Sequence, residues 1–392
     1  MKNHASFVIR NARLLYPDGQ LRPGQLAVRD GRIESVQEGD APAEAREVFD
    51  AGGSILCPGF IDVHLQGLFD HDVWDEDGTG IAGMCRKAPE FGTTAFLATT
   101  EYTPESIERV MRGFRRAQHQ DEGARVLGLH LEGPYLNPEF SGALPHYSRP
   151  EPTPEALERI LEQCGGELRL MTIAPEMPGH LALIPHLVRS GVVASLGHCG
   201  ADYEQAIAGI DAGIRHATHL FNAMPPLHHR RPGAIGAALE RPEVQAEIIC
   251  DTIHIHPAMV RLAYRLKGAS GLMLITDAVR VAGLPDGVYR TLGHGQILRK
   301  QDGAVRLEDG TLAGSCLTTS QALQNAVQQC GVPVGDALVM LTRTPAEVLG
   351  LTGERGVLEA GRLADLVLLD EGLEPARVWI EGRLVFEKPG VP

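Results

Sequence analysis

Between residues 59 and 277 the chain lays down eight short apolar runs, each followed by a stretch of helical periodicity. The runs are GFIDVHL at 59–65, TTAFLATT at 93–100, RVLGLHLE at 125–132 and ELRLMTIA at 167–174. VVASLGH at 192–198, RHATHL at 215–220, VQAEIIC at 244–250 and LMLITD at 272–277 complete the set. They are too short for buried helices and lack the alternation of a half-exposed strand, so they read as strands covered on both faces. The intervening segments carry apolar residues every three or four positions, as in PESIERVMRGFRRAQ from Pro104 and PEALERILEQC from Pro154, each with proline at a first helical turn. Strands alternating with helices require parallel pairing and right-handed crossovers. Eight is the number that closes such a sheet, so the expected fold is α/β, a TIM-like (β/α)8 barrel over residues 58–355, with an open doubly wound sheet as the alternative.

The flanks have a different texture. In residues 1–57, FVIRNARLL, QLAVRDGRIESV and REVFDAGG are alternating runs broken by PDG, DG and GG, the punctuation of hairpins. Residues 356–392 repeat the style, with strands around VLLD and VWI and a turn at EGR. Both ends are therefore expected to build one small β-sandwich domain beside the barrel. A formal net charge of −14 argues against a polyanion-binding surface, so no nucleic-acid partner is expected. The seven cysteines are scattered without a CxxC, and no apolar run approaches membrane-spanning length. A cytoplasmic protein without a membrane partner is the expectation.

Chemistry in a barrel of this kind sits at the C-terminal strand ends. In order those ends offer His64 and Gln66, Thr99 and Thr100, Glu132, Glu176, His198, His219, Asp251 with His254, and Asp277. His198 and His219 end successive strands, with the helical positions Ala206, Ile207, Ile210 and Ile214 between them, which points both imidazoles into one crevice. Two such histidines alone read more readily as core side chains whose hydrogen bonds are satisfied. With Glu132 they make a set of two nitrogens and one oxygen that leaves a coordination position open and suits one divalent metal per subunit, zinc ahead of iron. A metal so held acidifies water, and Asp277 at the last strand end is the candidate base, the alternative being a helix N-cap.

These residues, in this order, resemble the amidohydrolase superfamily and, within it, its deacetylases of N-acetylated amino-sugar phosphates. PGFIDVHLQG is similar to the first-strand motif, HLEGPYLNP carries the metal-binding glutamate at Glu132, and SLGHC and HATHLFNAMPPLHHRRPGAIGAAL carry the metal-binding histidines at His198 and His219. CDTIHIHP matches a substrate-contacting histidine at His254, LITDAV the catalytic aspartate at Asp277, LAGSCLT a substrate loop over Leu312, Ala313, Gly314 and Ser315, and GRLADLVLLD the closing β segment. The resemblance implies hydrolysis of N-acetylglucosamine 6-phosphate to glucosamine 6-phosphate and acetate in amino-sugar catabolism, with N-acetylgalactosamine 6-phosphate as the alternative. It further implies that Ala143, Asn222 and Ala223 hold the sugar. Arg230 would pair with the phosphate near a homodimer interface, with His228, His229 and Arg231 adding positive potential.

Two stretches depart from the pattern. Where relatives carry a histidine that polarises the scissile carbonyl, this chain has Leu144, and His146 is the candidate replacement. After the first strand relatives are glycine-rich, whereas here the chain reads LFDHDVWD. The motif HxQ at His64 and Gln66 keeps one good ligand and one poor one, so His64 is a candidate for a weaker second metal site. Glu176 and His130 are expected to be structural. Other amidohydrolases bridge two metals with a lysine on the fourth strand, and ELRLMTIAPE has none. A non-catalytic scaffold should lack some of Glu132, His198, His219 and Asp277, and all four are present.

Overall fold

The structure is a computed structural model that describes residues 7–39, 45–75, 77–119, 122–144, 150–292 and 295–390. The eight apolar runs form strands β1 (Phe60–Leu65), β2 (Thr93–Thr100), β3 (Arg125–Leu131) and β4 (Leu168–Ile173). They continue as β5 (Val193–Leu196), β6 (His216–Ala217), β7 (Gln245–Ile249) and β8 (Leu272–Ile275). Each pairs in parallel with its sequence neighbour, from β1 round to β8. The circle is closed by a parallel bridge between Leu65 and Ala278, with the Gln66 and Gly67 N–H groups both donating to the Ala278 carbonyl at 3.0 Å. Closure removes the open-sheet alternative. Every residue of β1 and β2 is buried, as expected of strands covered on both faces.

Helices start where local chemistry satisfies their free N–H groups. Thr103 caps Pro104–Gln118 and Thr153 caps Pro154–Gln163, both with proline in the first turn. Between β5 and β6, Asp202 and Gln205 form a reciprocal capping box for Tyr203–Ala212, whose Ala206 and Ile210 face the barrel core.

The observed strands stop short of the apolar runs. β5 ends at Leu196 and β6 at Ala217, because His198 (φ 46°) and His219 (φ 27°) are left-handed and cannot continue the ladder. Asp277 (φ 49°) ends the eighth run in the same way. Left-handed backbone at non-glycine residues costs about 1–3 kcal/mol each and gathers where function needs it.

The second sheet joins Phe7–Leu15, Leu21–Arg29, Arg32–Glu38, Glu47–Asp50 and Ile55–Pro58 to Leu366–Leu369, Pro375–Ile380 and Arg383–Glu387. Leu366–Leu369 lies antiparallel to Ile55–Pro58, which joins the two ends of the sequence. The first half of Phe7–Leu15 pairs in parallel with Glu47–Asp50 and the second half with Ile55–Pro58, and on its other edge its register against Leu21–Arg29 shifts between Ile9 and Ala12. The sheet folds over a core of its own in which Phe7 stacks on Trp379 with ring centroids 5.9 Å apart. Against the barrel, Arg125 forks onto Glu381 through two bonds of 2.9 Å. Close by, buried Arg355 meets Asp365 at 2.9 Å.

Two short excursions frame the barrel mouth and lie outside the strand pattern read from the sequence. After β1, Gly67–Leu68 and His71–Asp72 form a two-stranded ribbon turned by Phe69 and Asp70 at φ 50° and 66°. After β8, Gly287–Arg290, Ile297–Gln301 and Ala304–Arg306 make a three-stranded antiparallel sheet. Lys300 pins that sheet by donating to the Leu284 and Val281 carbonyls.

Candidate active site

Glu132 follows the last residue of β3, and His198 and His219 each lie two residues past the ends of β5 and β6. These three separate strand ends bring the side chains together. Glu132 Oε1 is 2.8 Å from His198 Nε2 and 3.0 Å from His219 Nε2, and the two nitrogens are 3.0 Å apart. All three residues are buried. His198 Nδ1 donates to the Phe140 carbonyl at 2.8 Å, which leaves its Nε2 bare toward the cluster. Two imidazole nitrogens and a carboxylate oxygen converging on one point cannot all be satisfied by shared protons. A divalent cation satisfies all three at once, and bonds of about 2.0–2.1 Å would set the ligand atoms only slightly further apart, about 3.3 Å in a tetrahedral site. The donor set fits a metal.

Asp277 faces this cluster from the end of β8. Its Oδ1 accepts from Gln66 Nε2 at 2.9 Å and lies 3.3 Å from His64 Nε2. Burial pushes the Asp277 carboxyl up, and Glu132 nearby adds to the effect while His64 opposes it. Burial would raise Glu132 as well, but the imidazoles of His64, His198 and His219 around it hold it well below the usual carboxylate range. For His64 burial acts downward, yet Asp277, Glu247 and Glu132 together keep it well above the ordinary imidazole value. The floor of the barrel is thus a dense arrangement of opposite charges.

Above that floor opens a cavity of about 300 Å³, lined by Glu132, His198, His219 and Asp277 together with Ala143, Asn222, Ala223, His254, Leu312, Ala313 and Gly314. His254 is held by Asp251, whose Oδ2 lies 2.6 Å from its Nδ1. Ser315 lies behind the wall, its hydroxyl donating to the Thr276 carbonyl and its N–H to the Asp277 carbonyl. Arg230 is exposed and does not line the cavity, and the ring of His228 beside it lies against that of His229, with centroids 4.4 Å apart. His146 lies outside the described residues, while Leu144 lines the cavity.

Glu176 and His130 are engaged in holding the scaffold. Glu176 Oε1 accepts from Asn137 Nδ2 and the Gly200 N–H, and His130 bonds Thr172 Oγ1 at 2.9 Å. Burial, with His64 beside it, drives the His130 imidazole down to about 3. Sequence reasoning assigned no site role to five residues, although Trp74 lies in the LFDHDVWD stretch that departs from the pattern. Trp74 and Arg280 line the cavity from the ribbon and the loop after β8, as do Thr291 and Gln296 from the antiparallel insertion. Glu247, in the middle of β7, is wholly buried beneath the cluster and contacts His64 and His219. A single carboxylate inside the apolar run VQAEIIC was the available signal for it.

A closed eight-stranded barrel with a carboxylate and two histidines gathered at its strand ends, and an aspartate on the eighth, defines a metal-dependent hydrolase, and residues 55–385 match the model of the amidohydrolase family; the chain belongs to that family. Its relatives narrow the kind. It is 35% identical over 390 residues to the N-acetylglucosamine-6-phosphate deacetylase of Bacillus subtilis (strain 168), covering 97% of each chain. It is also 35% identical over 379 residues to the N-acetylgalactosamine-6-phosphate deacetylase of Escherichia coli O157:H7, covering 96% of this chain and 98% of that one. Among solved structures, a mutant N-acetyl-D-glucosamine-6-phosphate deacetylase from Mycobacterium smegmatis in complex with N-acetyl-D-glucosamine-6-phosphate superposes with a TM-score of 0.87 at 35% identity. The match covers 97% of this chain and 99% of that one. Among the described residues no helix is long and apolar enough to cross a membrane.

Proposed function

We propose that this chain hydrolyses the N-acetyl group of N-acetylglucosamine 6-phosphate, releasing acetate and glucosamine 6-phosphate. The observation that carries the reading is the convergence of Glu132, His198 and His219 within 3.0 Å of one another beside Asp277, on the floor of a sugar-sized cavity. Glu132, His198 and His219 would hold one divalent ion, zinc ahead of iron, with His64 available to a weaker second one. When bound, such an ion polarises the amide carbonyl and lowers the pKa of water toward neutrality.

The chain's own residues do the rest. Asp277, oriented by Gln66, takes a proton from the attacking water and returns it to the departing amine, so the carboxylate ends the cycle unchanged. Asn222, Ala223 and His254 hold the pyranose, with Ala143 and the Leu312–Gly314 segment over it, while Ser315, behind the wall, braces Thr276 and Asp277 rather than touching the sugar. His146 would stand in for the carbonyl-polarising histidine absent at Leu144. Arg230 offers a planar fork for phosphate oxygens. Its exposed position suits service to a neighbouring subunit's cavity in a homodimer, and the seven unpaired cysteines suit the cytoplasm.

The 35% identity to a galactosamine-type deacetylase favours that epimer as the second reading. Acetate release from the two 6-phosphates and from unphosphorylated N-acetylglucosamine decides the matter. N-acetylglucosamine 6-phosphate should be the best substrate by kcat/KM. A larger value for N-acetylgalactosamine 6-phosphate would reverse the assignment, and equal rates without phosphate would remove the role of Arg230.

A further inference from the structure

Glu247 is a carboxylate at the centre of the barrel, with no exposure to solvent, on a strand whose other buried residues are Ala246, Ile248 and Ile249. Its Oε2 is shared. It accepts the His219 backbone N–H at 2.9 Å and lies 3.0 Å from His64 Nδ1. Its Oε1 has no hydrogen-bond partner and sits 3.6 Å from His216 Nε2. Burying a carboxylate in a barrel core costs several kcal/mol, and a buried charge is commonly replaced by apolar side chains with no loss of stability, so packing alone gives no reason for it.

What the side chain touches gives a reason. His219 is one of the three converging residues and is held at φ 27°, a left-handed backbone that is uncommon away from glycine and costs energy to maintain. The bond from its N–H to Glu247 is one constraint that holds it there, because it anchors the peptide immediately before the turned residue. His64, for its part, directs Nε2 to within 3.3 Å of Asp277 Oδ1 and 3.7 Å of Glu132 Oε1 only while Nδ1 is engaged below. One oxygen therefore holds the ring of His64, entering from β1, and the backbone of His219, entering from β6. A carboxylate behind a histidine ring is the usual device for fixing its tautomer and ring plane, which here applies to His64, while for His219 it fixes the peptide that carries the ring.

We propose that Glu247 is a positioning residue of the active site, clamping His219 and His64 from beneath without itself meeting metal or substrate. The inference rests on the reading of Glu132, His198 and His219 as a metal site. Zinc affinity of the purified protein, measured by competition with a chromophoric chelator, tests it alongside steady-state acetate release. Glu247→Leu removes the shared acceptor and should weaken zinc binding about 10- to 100-fold, the scale for lost support behind a ligand. At saturating zinc it should lower kcat while KM stays within about twofold, the mark of an effect on geometry rather than on sugar binding. Glu247→Gln keeps an acceptor oxygen in place and should restore affinity to within about threefold of the parent. Glu247→Asn withdraws that oxygen by one methylene and should behave like the leucine variant. The contrast between Gln and Asn decides the question even if the leucine variant does not fold. Parent-like zinc affinity in the Leu or Asn variants, or an equal loss in Gln and Asn, would overturn the clamp. A parent protein that takes up no zinc would instead remove the metal reading beneath it.

Discussion

Replacing Asp277 with asparagine separates metal binding from proton transfer, because nearly everything that holds this side chain in place survives the change. Gln66 Nε2 can still donate to the amide oxygen at 2.9 Å, and the backbone bonds from Asp277 N–H to the His64 carbonyl and from Ser315 N–H to the Asp277 carbonyl are untouched. Glu132, His198 and His219 keep their mutual distances, so the donor set for the metal remains whole. What is lost is the carboxylate proposed to accept a proton from water and pass it to the leaving amine. Loss of a positioned general acid or base costs roughly 10²- to 10⁴-fold in turnover, about 3–5 kcal/mol in barrier height. The expected result is therefore a protein with a full complement of metal, a KM within about twofold of the parent and a kcat lowered by two to four orders of magnitude. Acetate release at saturating substrate, with metal content determined on the same preparation, measures both halves. Turnover within tenfold of the parent at full metal loading would refute the assignment of Asp277 as the base.

Glu132→Gln should act on the other half, lowering zinc content after dialysis while leaving the fold intact by circular dichroism. Treatment of the parent with a chelator should abolish acetate release, and added zinc should restore it. Arg355→Met leaves buried Asp365 without its partner at 2.9 Å and should destabilise the junction between the sheet domain and the barrel by about 3–5 kcal/mol, read from the urea midpoint. Asp72, on the ribbon after β1, is pushed up to about 7 by burial and by the neighbouring carboxylates Asp75 and Glu101, against the Trp74 N–H that it accepts. Its folded-state value lies above the unfolded one, so the folded protein holds the extra proton between about pH 4 and pH 7, and stability falls as pH rises through that window. Asp72→Asn should flatten that part of the urea-midpoint profile.

Much of this architecture is legible in the sequence, for reasons that are local and physical. The eight barrel strands declare themselves because both of their faces are covered, which leaves uninterrupted apolar runs such as TTAFLATT. Their C-terminal ends are less legible. Apolar character continues past Leu196 and Ala217, while the backbone has already turned left-handed at His198 and His219, and nothing in composition announces that turn. The ribbon turn at Phe69 and Asp70 defeats turn chemistry at its first position, because left-handed positions usually select glycine, asparagine or aspartate and not phenylalanine. There tertiary contacts supply what local preference does not. Phe69 stacks on Phe91 at 5.7 Å, and Asp70 pairs with Arg280. The antiparallel insertion of Gly287–Arg306 was illegible for the opposite reason, since its short strands are half-exposed and carry charged residues throughout. Glu247 was hidden by its neighbours, one polar letter inside a run whose other members all pointed to packing.

The pairing of Leu366–Leu369 with Ile55–Pro58 bears on how the protein is made. The partner that completes the early strands is translated about 300 residues after them, so a nascent chain emerging from the ribosome carries an unfinished sheet edge for most of its synthesis. Cells that express a version cut short before residue 366 should accumulate it in aggregates, even though every residue of the catalytic floor has already been translated.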